Sequence, residues 1–113
     1  MSYIVFGGSG FVGRYLVEEL SKKGNVIIGD LNRPEHKLGQ NISYIQMDVR
    51  DLNSFEKIEI DSNDVVVNLA ANQYHTKVPK KGRNEYFSDT NTKGVANILA
   101  WMEKHGATQL VQY

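Results

Sequence analysis

Tyr3-Ile4-Val5-Phe6-Gly7-Gly8-Ser9-Gly10-Phe11-Val12-Gly13 is the stretch from which the rest of the chain is best read. Four apolar residues come first without alternation, as in a strand covered on both faces. Glycines then stand at 7, 8, 10 and 13, and a helical period opens at Phe11. Glycine spaced this way between strand and helix lets the backbone turn sharply and come close to a pyrophosphate. Amides at the helix start, with the positive end of its dipole, then hold the anion. Two patterns overlap. Gly8, Gly10 and Gly13 fit G-x-G-x-x-G, whereas Gly7, Gly10 and Gly13 fit G-x-x-G-x-x-G. Context supplies the weight, because Asp30 ends the next apolar run, about 20 residues on, where a carboxylate can accept ribose hydroxyls. A glycine-rich turn beside a surface acid is the bland alternative; a dinucleotide site uses all three features.

Outward from that turn, strand and helix signals alternate. Residues 11–23 read as a helix with Val12, Leu16 and Leu20 on one face and Phe11 and Tyr15 beside them. Lys22, Lys23 and Gly24 are its stop signal. Residues 26–30 read as a second strand, 31–41 as a loop with Pro34 and Gly39, and 44–47 as a third strand leading into Asp48 and Val49. A short helix is expected at 53–57, a strand at 65–69, and a polar loop with Pro79 and Gly82 at 72–86. Ser88 or Asp89 then caps a long helix to His105, its core face formed by Val95, Ile98, Leu99 and Met102. Gly106 ends it, and Leu110 and Val111 begin a last strand. This alternation predicts an α/β fold: a Rossmann-like, doubly wound parallel sheet of about five strands in three α/β/α layers, with residues 1–113 as a single domain.

Bulk properties exclude several function classes. The 13 basic and 13 acidic residues cancel, so no long-range field draws in nucleic acid or an anionic membrane. Cysteine is absent, which removes disulfides and thiolate metal sites. No export signal and no apolar run of membrane-spanning length is seen. A cytoplasmic protein is expected. Asp30 bears on cofactor choice, since a carboxylate there bonds a 2′-hydroxyl and repels a 2′-phosphate. NAD is therefore favoured over NADP, although Arg33 could offset the repulsion.

Over essentially its whole length the chain resembles the extended short-chain dehydrogenases/reductases, the NAD-dependent epimerase/dehydratase group acting largely on nucleotide sugars. The marks are Gly7/Gly10/Gly13, Asp30, Asp48-Val49, Asn68-Leu69-Ala70-Ala71 and Asn91-Thr92-Lys93-Gly94-Val95-Ala96-Asn97. The resemblance implies that Phe11 and Val12 meet the pyrophosphate through their amides and that Asp48 and Val49 flank the adenine. Leu69, Ala70 and Ala71 would line the nicotinamide-side ribose, with Asn91 near the nicotinamide end. It also implies a nucleotide-sugar substrate in the complete protein, and a dimer interface involving the long helix; Trp101, in a stripe with Asn97 and Gly94, is expected to pack against another copy or against the remaining half of the protein.

The family's catalytic Ser or Thr and its Tyr-x-x-x-Lys pair lie further on than these 113 residues. Tyr3, Tyr15, Tyr44, Tyr74 and Tyr86 are followed four positions on by Gly7, Glu19, Asp48, Val78 and Thr90, so none heads such a pair. The expectation is a cofactor-binding N-terminal half with no catalytic residue of its own and no turnover alone. The alternative is a stand-alone NAD(P)-sensing or protein-binding module. His36, His75 and His105 show no metal-ligand spacing, and His105 suits a helix C-terminus. Lys77, Lys80, Lys81 and Arg83 form a basic loop that is either solvated or within reach of a sugar-nucleotide diphosphate. The final strand, lacking a neighbour on one side, is expected to fray or pair from about Thr108.

Overall fold

The structure, a computed structural model, describes residues 1–35, 37–70 and 93–112. Five parallel strands run β1 (Ser2–Phe6), β2 (Asn25–Asp30), β3 (Ile42–Gln46), β4 (Val65–Asn68) and β5 (Gln109–Gln112), laid side by side as β3-β2-β1-β4-β5. Helix α1 (Phe11–Ser21) follows β1, a 3-10 helix (Leu52–Lys57) follows β3, and helix α2 (Gly94–Lys104) precedes β5.

The apolar strands of the sequence are explained by two separate cores. Ile4 and Phe6 of β1 join Phe55, Ile98, Trp101 and Met102 on one face of the sheet. Tyr3 and Val5 join Val17, Val26 and Ile28 on the other. Successive residues point to opposite faces, so a strand with a helix layer on each side needs an apolar residue at every position. The expected three layers and parallel sheet are present.

The helices turn differently from the expectation. In α1 the residues buried against the sheet are Gly13 and Val17, with Leu16 and Leu20 at the flanks. Phe11, Val12 and Tyr15 are exposed, by 78, 64 and 60%. The expected Val12–Leu16–Leu20 face is thus rotated by one position, because the point of closest approach is a glycine, which hydropathy does not mark. α1 also stops at Ser21, leaving Lys22 as its C-cap and Lys23 beyond it. β3 begins at Ile42, two residues before the expected Tyr44, because Ile42 pairs with Val26.

In α2 the buried residues are Gly94, Ile98, Trp101 and Met102, while Leu99 is 49% exposed. Trp101 packs edge-on against Phe6 at 5.6 Å and lies 5.3 Å from Phe55. It belongs to the core of these residues themselves, and the expectation that it packs against another copy or against the remaining half of the protein is corrected. Phe6 and Phe55 leave a space wide enough for an indole, and burying an aromatic there outweighs burying Leu99. His105 is the C-cap of α2, and Gly106 follows it as read. The Ser88 or Asp89 cap and the 72–86 loop lie outside the described residues.

Candidate functional site

β1 sits between β2 and β4, and the chain moves outward through β2 and β3 before returning to β4 on the other side. Such a reversal opens a crevice at the carboxyl ends of the strands. Phe6, Asp30 and Asn68 end β1, β2 and β4 at that edge.

The glycines of the first turn have distinct jobs. Gly7 has φ +80°, and a Cβ there would lie 2.8 Å from the Ala70 nitrogen. Its backbone conformation and its neighbour both require glycine, and the loop after β4 rests directly on the loop after β1. At Gly13 a Cβ would come within 2.6 Å of the Gly8 Cα, so glycine sets how closely α1 meets the turn. Gly10 differs. It has φ −78° and ψ −178°, which any residue adopts, and a Cβ there would meet no atom of the described residues within 4 Å. No contact among the described residues calls for glycine at this position, which leaves the backbone open to close approach by a ligand.

Gly10 is also the N-cap of α1, supplies no side-chain cap, and no acid stands in the first turn. The first amides of a helix have no intrahelical partner. Those of Phe11, Val12 and Gly13, with the helix dipole, therefore make an anion cradle with no acid in the helix's own first turn. A cleft of about 820 Å³ beside it is lined by Ser9, Gly10, Phe11, Arg14, Asn32, Arg33 and Glu35. A diphosphate and its adjoining ribose fit this donor set.

Asp30 reaches across to the turn. Its Oδ2 accepts from the Ser9 hydroxyl at 2.5 Å and from the Ser9 N–H at 3.3 Å, and its Oδ1 accepts from the Asn32 N–H at 3.2 Å. Tyr44 on β3 donates its hydroxyl to the Asp30 carbonyl at 3.0 Å, and the Arg33 guanidinium lies 5.8 Å above the Tyr44 ring. Desolvation pushes the Tyr44 pKa up, the Asp30 charge adds to this, and Arg33 partly offsets it.

After β3, Asp48 accepts from the Arg50 Nε at 3.1 Å and a terminal guanidinium nitrogen at 3.0 Å. That side-chain bond is the main reason its pKa lies below the usual carboxylate value, against the opposing effect of burial. Val49 is buried, and its carbonyl accepts from the Asn97 side chain at 2.9 Å, tying α2 to this loop. After β4, the buried Asn68 accepts from the Ala70 N–H at 3.0 Å and donates to Gln112 of β5 at 3.0 Å. This turn presses Leu69 and Ala70 against Gly7.

Gly7, Gly10, Phe11, Val12, Gly13, Asp30, Leu69 and Ala70 thus meet at one edge of the sheet, with Asp48 and Val49 one loop further out. Ala71 and Asn91 lie outside the described residues, as do His36, His75 and the basic loop. Among the described residues no group of three His, Cys, Asp or Glu is placed to hold a metal. Ser9 and Arg14 were missed by sequence reasoning. A hydroxyl residue within the glycine turn was the available signal for Ser9. Arg14 carried none, because an arginine on an exposed helix face is ordinary.

Known proteins agree with this geometry. A model of the NAD dependent epimerase/dehydratase family matches residues 3–113. A putative UDP-glucose 4-epimerase of Methanocaldococcus jannaschii is 30% identical over 112 residues, covering 96% of this chain and 36% of that protein. The mitochondrial NADH dehydrogenase (ubiquinone) 1 alpha subcomplex subunit 9 of Arabidopsis thaliana is 33% identical over 111 residues, covering 90% of this chain and 26% of that protein. A mutant uronate dehydrogenase from Agrobacterium tumefaciens, crystallised with NAD, superposes with a TM-score of 0.76 at 25% identity, over 98% of this chain and 39% of that one. The chain therefore spans only about a quarter to two-fifths of these proteins. Among the described residues no helix is long and apolar enough to cross a membrane. From its matched residues, its sheet order and its glycine turn, this chain belongs to the NAD-dependent epimerase/dehydratase family.

Proposed function

We propose that these residues, as one domain, are the NAD-binding N-terminal portion of an NAD-dependent nucleotide-sugar epimerase or dehydratase. Gly10 carries the proposal: its φ is ordinary and no atom of the described residues lies near its Cβ position, so what a glycine there serves is close approach of an outside molecule to the backbone. Bound NAD supplies a hydride acceptor. The amides of Phe11, Val12 and Gly13 hold its pyrophosphate, and Asp30 faces the adenosine ribose. Asp48 and Val49 flank the adenine; Leu69, Ala70 and Ala71 line the second ribose; Asn91 lies toward the nicotinamide. The M. jannaschii relative, by its name, supports a nucleotide-sugar substrate for the whole protein. The proton-transferring pair comes from outside these residues, so the chain alone turns over no sugar. A cytoplasmic location completes the proposal.

A second reading, a binding module without chemistry, is favoured by the Arabidopsis relative, which is named as a subunit of a NADH dehydrogenase. Coding sequence after Tyr113 containing Tyr-x-x-x-Lys would decide for the enzyme. The direct test of the site is calorimetric titration of NAD into the chain and into Gly10→Ala. Binding that weakens at least about tenfold in the variant, from a methyl group lodged against the phosphates, is expected. Wild-type protein that takes up no NAD, or a Gly10→Ala variant that binds equally well, overturns the proposal.

A further inference from the structure

We infer that Asn97 is a positioning residue for base selectivity: through its bond to the Val49 carbonyl it sets the rotation of the loop that meets the base. It acts on Val49 rather than on the cofactor. This rests on the dinucleotide site proposed above and names a residue, on another element, that its selectivity depends on.

Phosphates at the first turn of α1 and a ribose at Asp30, the end of β2, leave the base to the end of β3, the outermost strand on that side. Asp48 and Val49 lie there, between β3 and the 3-10 helix and belonging to neither, so bonds from elsewhere must fix their backbone. From the 3-10 helix, the Ser54 hydroxyl accepts from the Asp48 N–H at 3.3 Å and lies 2.7 Å from the Asp48 carbonyl. The Asp51 N–H donates to the same carbonyl at 3.0 Å. From α2, Asn97, 48 residues away in sequence, donates to the Val49 carbonyl at 2.9 Å.

The carbonyl and N–H of a trans peptide point in opposite directions. With the Asp48 carbonyl turned toward Ser54 and Asp51, the Val49 N–H points away from them, and among the described residues it has no hydrogen-bond partner. A donor left open in so buried a residue is available to a ligand acceptor. Beside it, Arg50 takes three of the roughly four acceptor positions of the Asp48 carboxylate and leaves one.

Packing alone does not aim this pair. Val49 lies in the core, and a Cβ on Gly94 would come within 2.9 Å of its Cγ2, so α2 touches the loop closely. Apolar contact has no direction and fixes only how far apart the two lie. The Asn97 bond is directional, and it fixes how the Val49 backbone is turned. A half-buried amide in mid-helix is costly without such a partner, and Asn97 has this one.

The test is calorimetric titration of the 113-residue chain with NAD and with nicotinamide hypoxanthine dinucleotide. In the analogue a carbonyl replaces the exocyclic amine and the adjoining ring nitrogen carries a hydrogen, so donor and acceptor are exchanged. The titrations are repeated on Asn97→Ala and on Asn97→Leu, which keeps the bulk and removes the donor. The readout is the ratio of the analogue Kd to the NAD Kd. Partial unfolding of a variant raises both Kd values alike and leaves this ratio unchanged. The wild-type ratio should be at least about tenfold, and both variants should lower it by about three- to tenfold, the range of one hydrogen bond. A ratio that neither variant moves makes Asn97 merely a support for α2 and overturns the inference. A wild type that binds both dinucleotides equally also overturns it and leaves the dinucleotide site standing. Binding of neither overturns the site itself, and this inference with it.

Discussion

Ser9 and Asp30, 21 residues apart in sequence, are joined by two hydrogen bonds to one carboxylate oxygen, so the turn after β1 and the end of β2 form a single unit. The residue proposed to face the ribose is thereby also the clamp on the turn proposed to hold the phosphates. Removing the carboxylate and removing the hydroxyl should have different consequences. Asp30→Ala takes away the clamp and the ribose acceptor together, and NAD affinity should fall at least about tenfold by calorimetry. Ser9→Ala leaves the carboxylate with a freed acceptor and a less compensated charge. Its NADP-to-NAD Kd ratio should rise about threefold. Equal weakening of both cofactors in Ser9→Ala would argue that the hydroxyl only stiffens the turn.

Gly13→Ala should damage the fold, whereas Gly10→Ala should not. A methyl at 13 collides with the Gly8 backbone at 2.6 Å, and that backbone cannot move without shifting α1 off β1. Urea unfolding should show a loss of at least about 2 kcal/mol. A methyl at 10 meets none of the described residues, so Gly10→Ala should stay within about 1 kcal/mol of wild type, the scale of an N-cap change. Similar unfolding curves for the two variants would contradict this division of labour.

Trp101 is the single tryptophan and is 4% exposed, so its fluorescence reports the α2 core. Blue-shifted emission is expected in dilute protein, unchanged on concentration and lost in urea. Trp101→Ala should cost about 3–5 kcal/mol. Emission resembling free indole, or blue-shifting only as concentration rises, would return Trp101 to an interface.

Acid should weaken the loop that carries Asp48. The folded-state pKa of Asp48 is depressed by Arg50, so the stability of this contact is present above the unfolded carboxylate pKa. It is lost as pH falls through the lower, folded value. Arg50→Ala should therefore destabilise at pH 7, by less than about 1 kcal/mol for so exposed a pair. The gap from wild type should close once the pH lies below the depressed, folded-state value, where the carboxylate is protonated in both states. A gap that persists there, measured by urea midpoints at both pH values, would assign the effect to packing of the Arg50 stem.

Much of this molecule was legible in one dimension, and the remainder shares a common cause. Unbroken apolar runs announced strands covered on both faces, and β1, β2 and β4 stand where Tyr3-Ile4-Val5-Phe6 and its two counterparts placed them. Gly7, Gly10, Gly13 and Asp30 declared a turn and an acid because local backbone chemistry and spacing restrict what such a turn can be. Which side of each helix met the sheet was not legible. Both α1 and α2 carry apolar residues around more than half their circumference, and each turns a glycine, Gly13 or Gly94, toward its core. Hydropathy gives a glycine no weight, yet the absence of a side chain is what lets two backbones close together. The same holds for Asp30: its presence at the end of β2 is written in the chain, but its capture by Ser9 exists only once β2 lies beside β1. Periodicity along a chain encodes the elements; distances across it, which packing alone sets, determine which atoms are left to meet a ligand.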